Sequence, residues 1–124
     1  MSIKNTIVWV DVPVKNVKRA VKFYTAILGT KVSRETMPGF EFGLLPHTKD
    51  NVAGCLVKMK DYKPSQTGPL IYFNMDGRHD KAERAAAKSG GKILQKKHQI
   101  GPHGFRTVIL DSEGNRIALH SSKG

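Results

Sequence analysis

Two side chains of the chain combine a titratable group with an apolar setting. Asp11 interrupts the alternating run from Ile7 to Val12, where a carboxylate needs a polar partner or water. It could act as a general base or accept a proton from a ligand, or it could form an ion pair with a lysine or arginine. His120 could perform acid–base chemistry, because histidine is the side chain that changes charge near neutral pH, or it could simply be an exposed residue at a strand end. Asp11 and His120 are therefore weak catalytic candidates.

Aromatic side chains point to binding rather than to bond-making chemistry. Trp9 could stack on a flat ligand, or it could only fill volume. Tyr72 offers a ring and one hydrogen bond to a pocket wall, or it could belong to the core. Phe40, Phe42 and Phe105 lie in strand-like sequence, and which face each takes depends on a register that the sequence leaves open.

A few residues could serve nucleophilic, metal or anion chemistry. Cys55 needs a neighbour that lowers its pKa to be a nucleophile, and none stands near it in sequence, which favours a buried thiol. His98 and His103 flank a turn in loop-like sequence and, with the cysteine, could recruit a soft divalent ion. Arg106 and Arg116 could bind an anionic ligand or pair across a hairpin at the surface.

Length and composition indicate one domain. The 124 residues are 39% hydrophobic, enough to bury a core. No apolar run approaches the roughly 20 residues of a membrane span, and the N-terminus lacks the pattern of a signal peptide. With one cysteine no internal disulfide can form, so we expect a reducing, cytoplasmic location.

The charge balance is strongly basic. Lys and Arg number 21 against 10 Asp and Glu, for a formal net charge of +11. Such a balance can indicate nucleic-acid or anionic partners. The lysines are spread along the whole chain, without an arginine-rich helix or zinc-finger spacing, so nucleic-acid binding is not expected.

The first half of the chain predicts a strand, a helix and three further strands. Val8, Val10 and Val12 share one face of the first strand, which leaves Trp9 and Asp11 on the other. Further elements follow from apolar periodicity, from a cap at Asn16 and from a stop at Gly29. They are a helix over Val17–Leu28 and strands over Lys31–Thr36, Phe40–Leu45 and Val52–Met59.

The second half repeats this order. Trp9 aligns with Leu70, and the same shift places Gly29 on Gly90. The predicted elements, with His79 at a helix start, are a strand over Leu70–Met75, a helix over Asp80–Ser89 and strands over Lys92–Lys97, Phe105–Leu110 and Ile117–Leu119.

We therefore predict one α+β domain of residues 1–124. It has two βαβββ modules, residues 3–60 and 69–122, a connector of residues 61–68, and a rolled, half-barrel mixed sheet with a central cleft.

Three segments resemble the vicinal-oxygen-chelate superfamily, which includes glyoxalase I, bleomycin-resistance proteins and extradiol dioxygenases. They are VDVPVKNVKRAVKFYTAILG, GPLIYFNMDG and FRTVILDSEGNRIALHS. The likeness covers nearly the whole chain and is closest to small glyoxalase-related members. It implies the same two-module fold, a cleft that holds a divalent metal in the metal-dependent members, and a homodimer.

The ligands of those members can be transferred position by position. The resemblance places the first-strand histidine on Trp9, the fifth-strand histidine on Leu70 and the last-strand glutamate on Ala118. The fourth-strand ligand falls near Gly54 or Cys55. Indole, isobutyl and methyl groups cannot ligate a metal, so no metal at the usual site and no cofactor are expected, and a divalent ion at an unconventional site stays open.

Three functions follow as hypotheses. The first is a metal-free binding protein that holds a small planar or oxygen-rich molecule in the cleft. The second is a metal-dependent lyase, isomerase or dioxygenase acting on a small metabolite, and the third is a basic module that binds nucleic acid or another protein. No membrane partner is expected. The predicted ligand-binding residues are Trp9, Asp11, Phe42, Leu70, Tyr72, Ala118 and His120.

Overall fold

The fold is given by a computed structural model that describes residues 5–124, so the predicted start of the first module at residue 3 lies outside the described residues. Residues 5–124 form eight strands, two α-helices and one short 3-10 helix, in the order β1, α1, β2, β3, β4, β5, α2, β6, 3-10, β7, β8. Their bounds are β1 Trp9–Pro13, α1 Val17–Leu28, β2 Ser33–Met37, β3 Phe40–Leu44, β4 Ala53–Val57, β5 Ile71–Asn74, α2 His79–Lys88, β6 Lys92–Gln99, the 3-10 helix Gly101–His103, β7 Phe105–Leu110 and β8 Arg116–Ser121.

The first helix forms where its sequence signals place it. The side chain of Asn16 accepts a hydrogen bond from the backbone of Arg19, which satisfies one of the free N–H groups of the first turn. Gly29 ends the helix in the left-handed region at φ 69°, where a residue without Cβ is favoured. The predicted bounds of this helix are confirmed.

Each module is a mixed four-stranded sheet. The strand orders are β1-β4-β3-β2 and β5-β8-β7-β6, and β1 is parallel to β4 as β5 is to β8. The other neighbouring pairs are antiparallel. The predicted α+β fold of two βαβββ modules is confirmed, and β1 and β5 both lie at an edge of their sheet.

The two helices share one hydrophobic core. In β1 and β5 the side chains of Val12 and Ile71 face this core, as does that of Phe73, whereas Trp9 and Tyr72 remain 46% and 44% exposed. The alternation of a period-2 strand therefore separates a helix-covered face from an open face in both sheets. Val8 departs from this prediction, because it precedes β1 and is exposed.

A turn of the second module holds the first module in place. Asn115, between β7 and β8, donates to the carbonyl oxygen of Pro13 at the end of β1 (2.7 Å) and accepts from the backbone of Ser65 (3.0 Å). In the same turn Asp111 accepts hydrogen bonds from the backbone N–H groups of Glu113 and Asn115. Asp111, Glu113 and Asn115 of this turn are buried, so the segment LDSEGNRI aligns the end of β1 with the start of β8.

Every strand prediction agrees with the observed bounds to within two residues at each end. The last strand extends from Arg116 to Ser121 rather than from Ile117 to Leu119, and β6 extends to Gln99. The prediction that His98 lies in a loop is therefore wrong. Two register shifts interrupt the pairing of β6 with β7. Such irregularities disturb the alternation of apolar and polar side chains by which a strand is predicted from sequence.

Candidate functional site

A groove of about 810 Å³ runs between the two modules, along the neighbouring edges of β1 and β5 and the start of β8. It is open to solvent, and the connector between the modules forms one of its walls. Tyr62 of that connector donates a hydrogen bond to the backbone oxygen of Asp11 (3.2 Å). The lining residues that concern its chemistry are Trp9, Asp11, Tyr62, Leu70, Tyr72 and Arg116.

The indole of Trp9 has a fixed orientation on the wall formed by β1. Its Nε1–H donates to Oδ1 of Asp11 (2.7 Å), two residues along the same face of the strand. The thiol of Cys55, opposite Asp11 in β4, donates to the same oxygen at 3.3 Å. The ion pairs formed within residues 5–124 do not include Asp11.

Cys55 does not have the electrostatics of a nucleophile. Burial, followed by the hydrogen bond to Asp11 and the negative charge of that carboxylate, raises the pKa of its thiol to about 12. A thiol is nucleophilic as the thiolate, which is almost absent at neutral pH. The interpretation of Cys55 as a buried, unreactive thiol is thus favoured by its surroundings.

The wall formed by β5 leads to a polar row across the second sheet. Residues opposite one another in successive strands are His98 of β6, Arg106 of β7, His120 of β8 and Asn74 of β5. Tyr72 lies one step along the same face of β5, and its hydroxyl accepts a hydrogen bond from Arg106 Nη1 (2.8 Å). The groove and the row are therefore joined at Tyr72.

The structure brings four of the predicted ligand-binding residues to the groove: Trp9, Asp11, Leu70 and Tyr72. Ala118 is fully buried opposite Tyr72, and His120 stands in the polar row with its ring centroid 6.0 Å from that of Tyr72. Phe42 lies in β3, opposite Val57, outside the lining. The roles of all seven stay predictions.

Tyr62 and Arg116 line the groove although the sequence analysis did not assign them to it. Tyr62 belongs to the polar connector DYKPSQTGP, which was interpreted only as a loop. Arg116 stands directly after the turn, at the first position of β8, and had been considered only as a possible anion ligand or surface partner. For Tyr62 the available sequence signal was that it is the single aromatic residue of the connector.

The two histidines and the cysteine that the sequence left open as a possible metal site do not come together. His98 donates from Nδ1 to the backbone oxygen of Lys96, His103 ends the 3-10 helix, and Cys55 belongs to the other sheet. Within the part of the chain that the structure describes, no group of three or more His, Cys, Asp or Glu side chains is placed to hold a metal ion.

A second polar cluster is buried away from the groove. The ring of His79 contacts the hydroxyls of Ser121 (2.6 Å) and Thr107 (2.7 Å), and Thr107 donates to Glu83 (2.6 Å). His79, Thr107 and Ser121 are each at most 5% exposed. These contacts join the first turn of α2, where His79 was predicted, to β7 and β8, which is a structural role.

Residues 6–119 match the model of the Glyoxalase/Bleomycin resistance protein/Dioxygenase superfamily. The chain belongs to this superfamily. A glyoxylase-like domain-containing protein of Didymella fabae is 29% identical to this superfamily member over 120 residues, which cover 93% of this chain and 92% of that protein.

Solved structures of the superfamily share the fold. A glyoxalase/bleomycin resistance protein/dioxygenase family enzyme from Burkholderia phytofirmans superposes with a TM-score of 0.70 at 16% identity, over 92% of this chain and 96% of that one. A glyoxalase/bleomycin resistance protein from Albidiferax ferrireducens gives 0.71 at 18% identity, over 94% and 99%. Glyoxalase I from Zea mays gives 0.70 at 18% identity over 92% of this chain, which spans 45% of that protein.

The metal of the metal-dependent superfamily members does not fit the residues present here. The indole of Trp9, the isobutyl group of Leu70 and the methyl group of Ala118 offer no donor atom to an ion. The fourth position falls near Gly54, which has no side chain, or Cys55, which lies opposite Asp11 and already donates to its carboxylate. Only Asp11 carries a carboxylate on that face of β1, and one hard ligand does not make a metal site.

Among the described residues, neither helix has the length and apolar composition needed to cross a membrane.

Proposed function

We propose that this superfamily member binds a small planar or oxygen-rich molecule in the groove between its modules, without the metal of its metal-dependent relatives. The observation that carries the proposal is an open groove of about 810 Å³ with Trp9 on one wall and Tyr72 on the other. Ligand pockets typically measure about 300–1,000 Å³ and combine apolar walls with a few polar groups. The groove has that size and that composition.

Each wall residue contributes a distinct interaction. Trp9 offers a large aromatic face whose direction is fixed by its hydrogen bond to Asp11, so little conformational freedom is lost on stacking. Leu70 adds apolar surface. The second carboxylate oxygen of Asp11 has no hydrogen-bond partner among the described residues and can accept a hydrogen bond from a ligand hydroxyl or amine.

The alternative of a metal-dependent lyase, isomerase or dioxygenase requires ligands that this groove does not provide. In that chemistry the ion binds neighbouring oxygens of the substrate and stabilises negative charge as a Lewis acid. Metal content separates the two functions. We expect the purified protein, analysed by mass spectrometry for transition metals, to carry clearly less than one ion per chain, and stoichiometric metal retained through dialysis would contradict the proposal.

The sole tryptophan provides a direct test of binding. The indole N–H resonance of Trp9 is a single signal in a proton–nitrogen correlation spectrum, and a ligand that stacks on the ring shifts it. With 2-naphthamide as a neutral planar probe we expect a saturable shift of this signal. A spectrum that stays unchanged up to the solubility limit, together with no heat in a calorimetric titration, would contradict binding in the groove.

Two variants localise the binding. Trp9→Ala should weaken the calorimetric affinity for 2-naphthamide at least tenfold, because it removes the stacking face. Met37→Ala is the matched control, since Met37 is as exposed as Trp9 (48% against 46%) but lies in β2, at the far edge of the first sheet. Equal losses in both variants would show that binding does not occur at Trp9.

We also infer that two copies associate and that the protein works in a reducing compartment. Ile7 and Val8, directly before the edge strand β1, are large apolar side chains that remain exposed, and such surface favours association with another chain. The molar mass of the protein, measured by light scattering as it elutes from a size-exclusion column, tests whether two copies associate.

Binding of DNA that weakens steeply with salt would instead favour the hypothesis of a basic interaction module.

A further inference from the structure

Arg106 lies on the open face of the second sheet without an acidic partner. Its neighbours across the strands are His98 and His120, and neither imidazole side chain supplies a negative charge. Among residues 5–124 no carboxylate lies within 4.0 Å of its guanidinium. The positive charge of Arg106 is therefore uncompensated by protein groups, in contrast to that of Arg19, which pairs with Glu113.

The hydrogen bonds of Arg106 fix the group in one orientation. Its Nε and Nη2 both approach Nε2 of His98, at 3.2 and 3.1 Å. We assign His98 as the neutral ring with its proton on Nδ1, because Nδ1 faces the backbone oxygen of Lys96 at 2.8 Å and Nε2 must then accept. Nη1 donates to the hydroxyl of Tyr72. The guanidinium is held from two sides before any ligand arrives.

Several donors remain unused at this place. A guanidinium has five N–H groups, and the three contacts leave one N–H on Nη1 and one on Nη2 of Arg106. The hydroxyl of Tyr72 accepts from Arg106 and keeps its own proton to donate. Three donors and one positive charge thus surround the point where the polar row meets the groove.

A carboxylate and a histidine near this place already have hydrogen-bond partners. Asp76 interacts with the charge of His120, but its carboxylate accepts hydrogen bonds from the backbone N–H and the hydroxyl of Ser122 (2.7 and 3.1 Å). His120 donates through Nε2 to the backbone oxygen of His103 (2.6 Å). Neither group occupies the free donors of Arg106.

We propose that Arg106, together with the hydroxyl of Tyr72, binds the carboxylate of a small organic anion whose planar body lies in the groove toward Trp9. The inference rests on the proposed function and adds the chemical class of the ligand, a planar carboxylic acid. Two carboxylate oxygens match the two free N–H groups, and such charge-assisted pairs are the strongest hydrogen bonds that a protein offers. Tyr72 links the two parts, because it lines the groove and contacts Arg106.

The test compares two probes of the same shape. The 2-naphthoate anion and neutral 2-naphthamide differ only in the group that would meet Arg106. Calorimetric titration of the full chain should give 2-naphthoate at least about tenfold higher affinity. In Arg106→Gln that preference should disappear while the affinity for 2-naphthamide stays within twofold of the wild-type value.

Three further variants sharpen the result. Arg106→Lys keeps the charge without the planar arrangement of donors and should recover only part of the preference. Tyr72→Phe should reduce the affinity for 2-naphthoate several-fold more than that for 2-naphthamide. Arg84→Gln makes the same change of charge on an exposed position of α2 and should leave both affinities unchanged. Circular dichroism confirms that each variant is folded.

The outcomes distinguish this inference from the proposed function. If both probes bind equally and Trp9→Ala weakens both, the groove binds planar molecules but the carboxylate site at Arg106 is wrong. A preference for 2-naphthoate that survives in Arg106→Gln or falls equally in Arg84→Gln also overturns it. If neither probe binds the wild-type chain, the proposed function fails as well.

Discussion

The carboxylate of Glu113 lies 2.7 Å from Nε of Arg19, which links the last turn of the second module to the first helix of the first. The Glu113 side chain has no exposed surface. Among the other hydrogen bonds that it accepts are those from the backbone N–H groups of Lys15 and Asn16 (2.8 and 2.9 Å). A negative charge at these groups also suits the positive end of the helix dipole. One carboxylate therefore fixes the start of α1 against the turn that shapes the groove.

Glu113→Gln should lower the free energy of unfolding by about 2–3 kcal/mol, because the hydrogen bonds that it weakens involve a charged, buried group. Urea unfolding followed by circular dichroism measures the change. Glu41→Gln is the control, since Glu41 pairs with Arg34 at the same distance of 2.7 Å but both side chains are partly exposed. It should cost less than about 1 kcal/mol, and equal losses in the two variants would contradict the role of Glu113.

Acid should remove the advantage of the wild-type chain over Glu113→Gln. Burial acts to raise the pKa of Glu113, but the hydrogen bonds from Arg19, Asn16, Ser112 and Lys15 outweigh burial and lower it. A depressed pKa in the folded state gives stability that is complete above the unfolded value, about 4.3. This stability is lost as the pH falls through the folded pKa. Unfolding curves from pH 7 to pH 3 should converge below about pH 4, and a constant difference would contradict the assignment.

Tyr24→Phe should destabilise the fold without affecting the groove. The Tyr24 hydroxyl donates to Asp111 at 2.6 Å inside the shared core, and burial, followed by the charge of Asp111, raises its pKa well above the usual value. Its removal leaves a buried carboxylate with one donor fewer, at a cost of about 1–2 kcal/mol. Tyr62→Phe removes a hydroxyl whose single hydrogen bond, to the backbone oxygen of Asp11 (3.2 Å), is made by a partly exposed residue. It should cost less than about 0.5 kcal/mol, and similar losses in both variants would contradict the prediction.

Cys55 should react very slowly in the folded protein. A pKa of about 12 leaves roughly a thousandth of the thiolate that an unfolded cysteine has at pH 8. The rate of reaction with a disulfide reagent at pH 8 should therefore be at least about a hundredfold lower than in urea. Asp11→Asn should raise the native rate, since the Asp11 charge helps to raise that pKa. Native and unfolded rates of similar size would contradict the buried, protonated thiol.

Local signals were sufficient where the relevant interactions are local. The bounds of α1 followed from the cap at Asn16, the stop at Gly29 and the apolar spacing between them, because each of these signals acts within one or two helical turns. Alternation in β1 and β5 placed Trp9, Asp11 and Tyr72 on the open face. The internal repeat and the LDSEGNRI segment predicted the two modules.

Contacts between distant segments could not be predicted in this way. The sequence offered Arg106 as either an anion ligand or a surface ion pair, and only the register of β6, β7 and β8 set it beside His98, Tyr72 and His120. A one-residue slip would have turned Arg106 to the other face. His98 lies in β6 and not in the predicted loop, and the register shifts of that strand left no clear trace in its residues.

By itself the amino-acid sequence determined the family, the two modules and the loss of donor atoms at Trp9, Leu70 and Ala118, because side-chain chemistry and short-range periodicity are properties of single positions and neighbours. The tertiary structure decided the groove and its polar end. Those depend on how two edge strands, a connector and a turn far apart in the chain come together, and long-range packing and hydrogen bonds such as that between Asn115 and Pro13 set this arrangement.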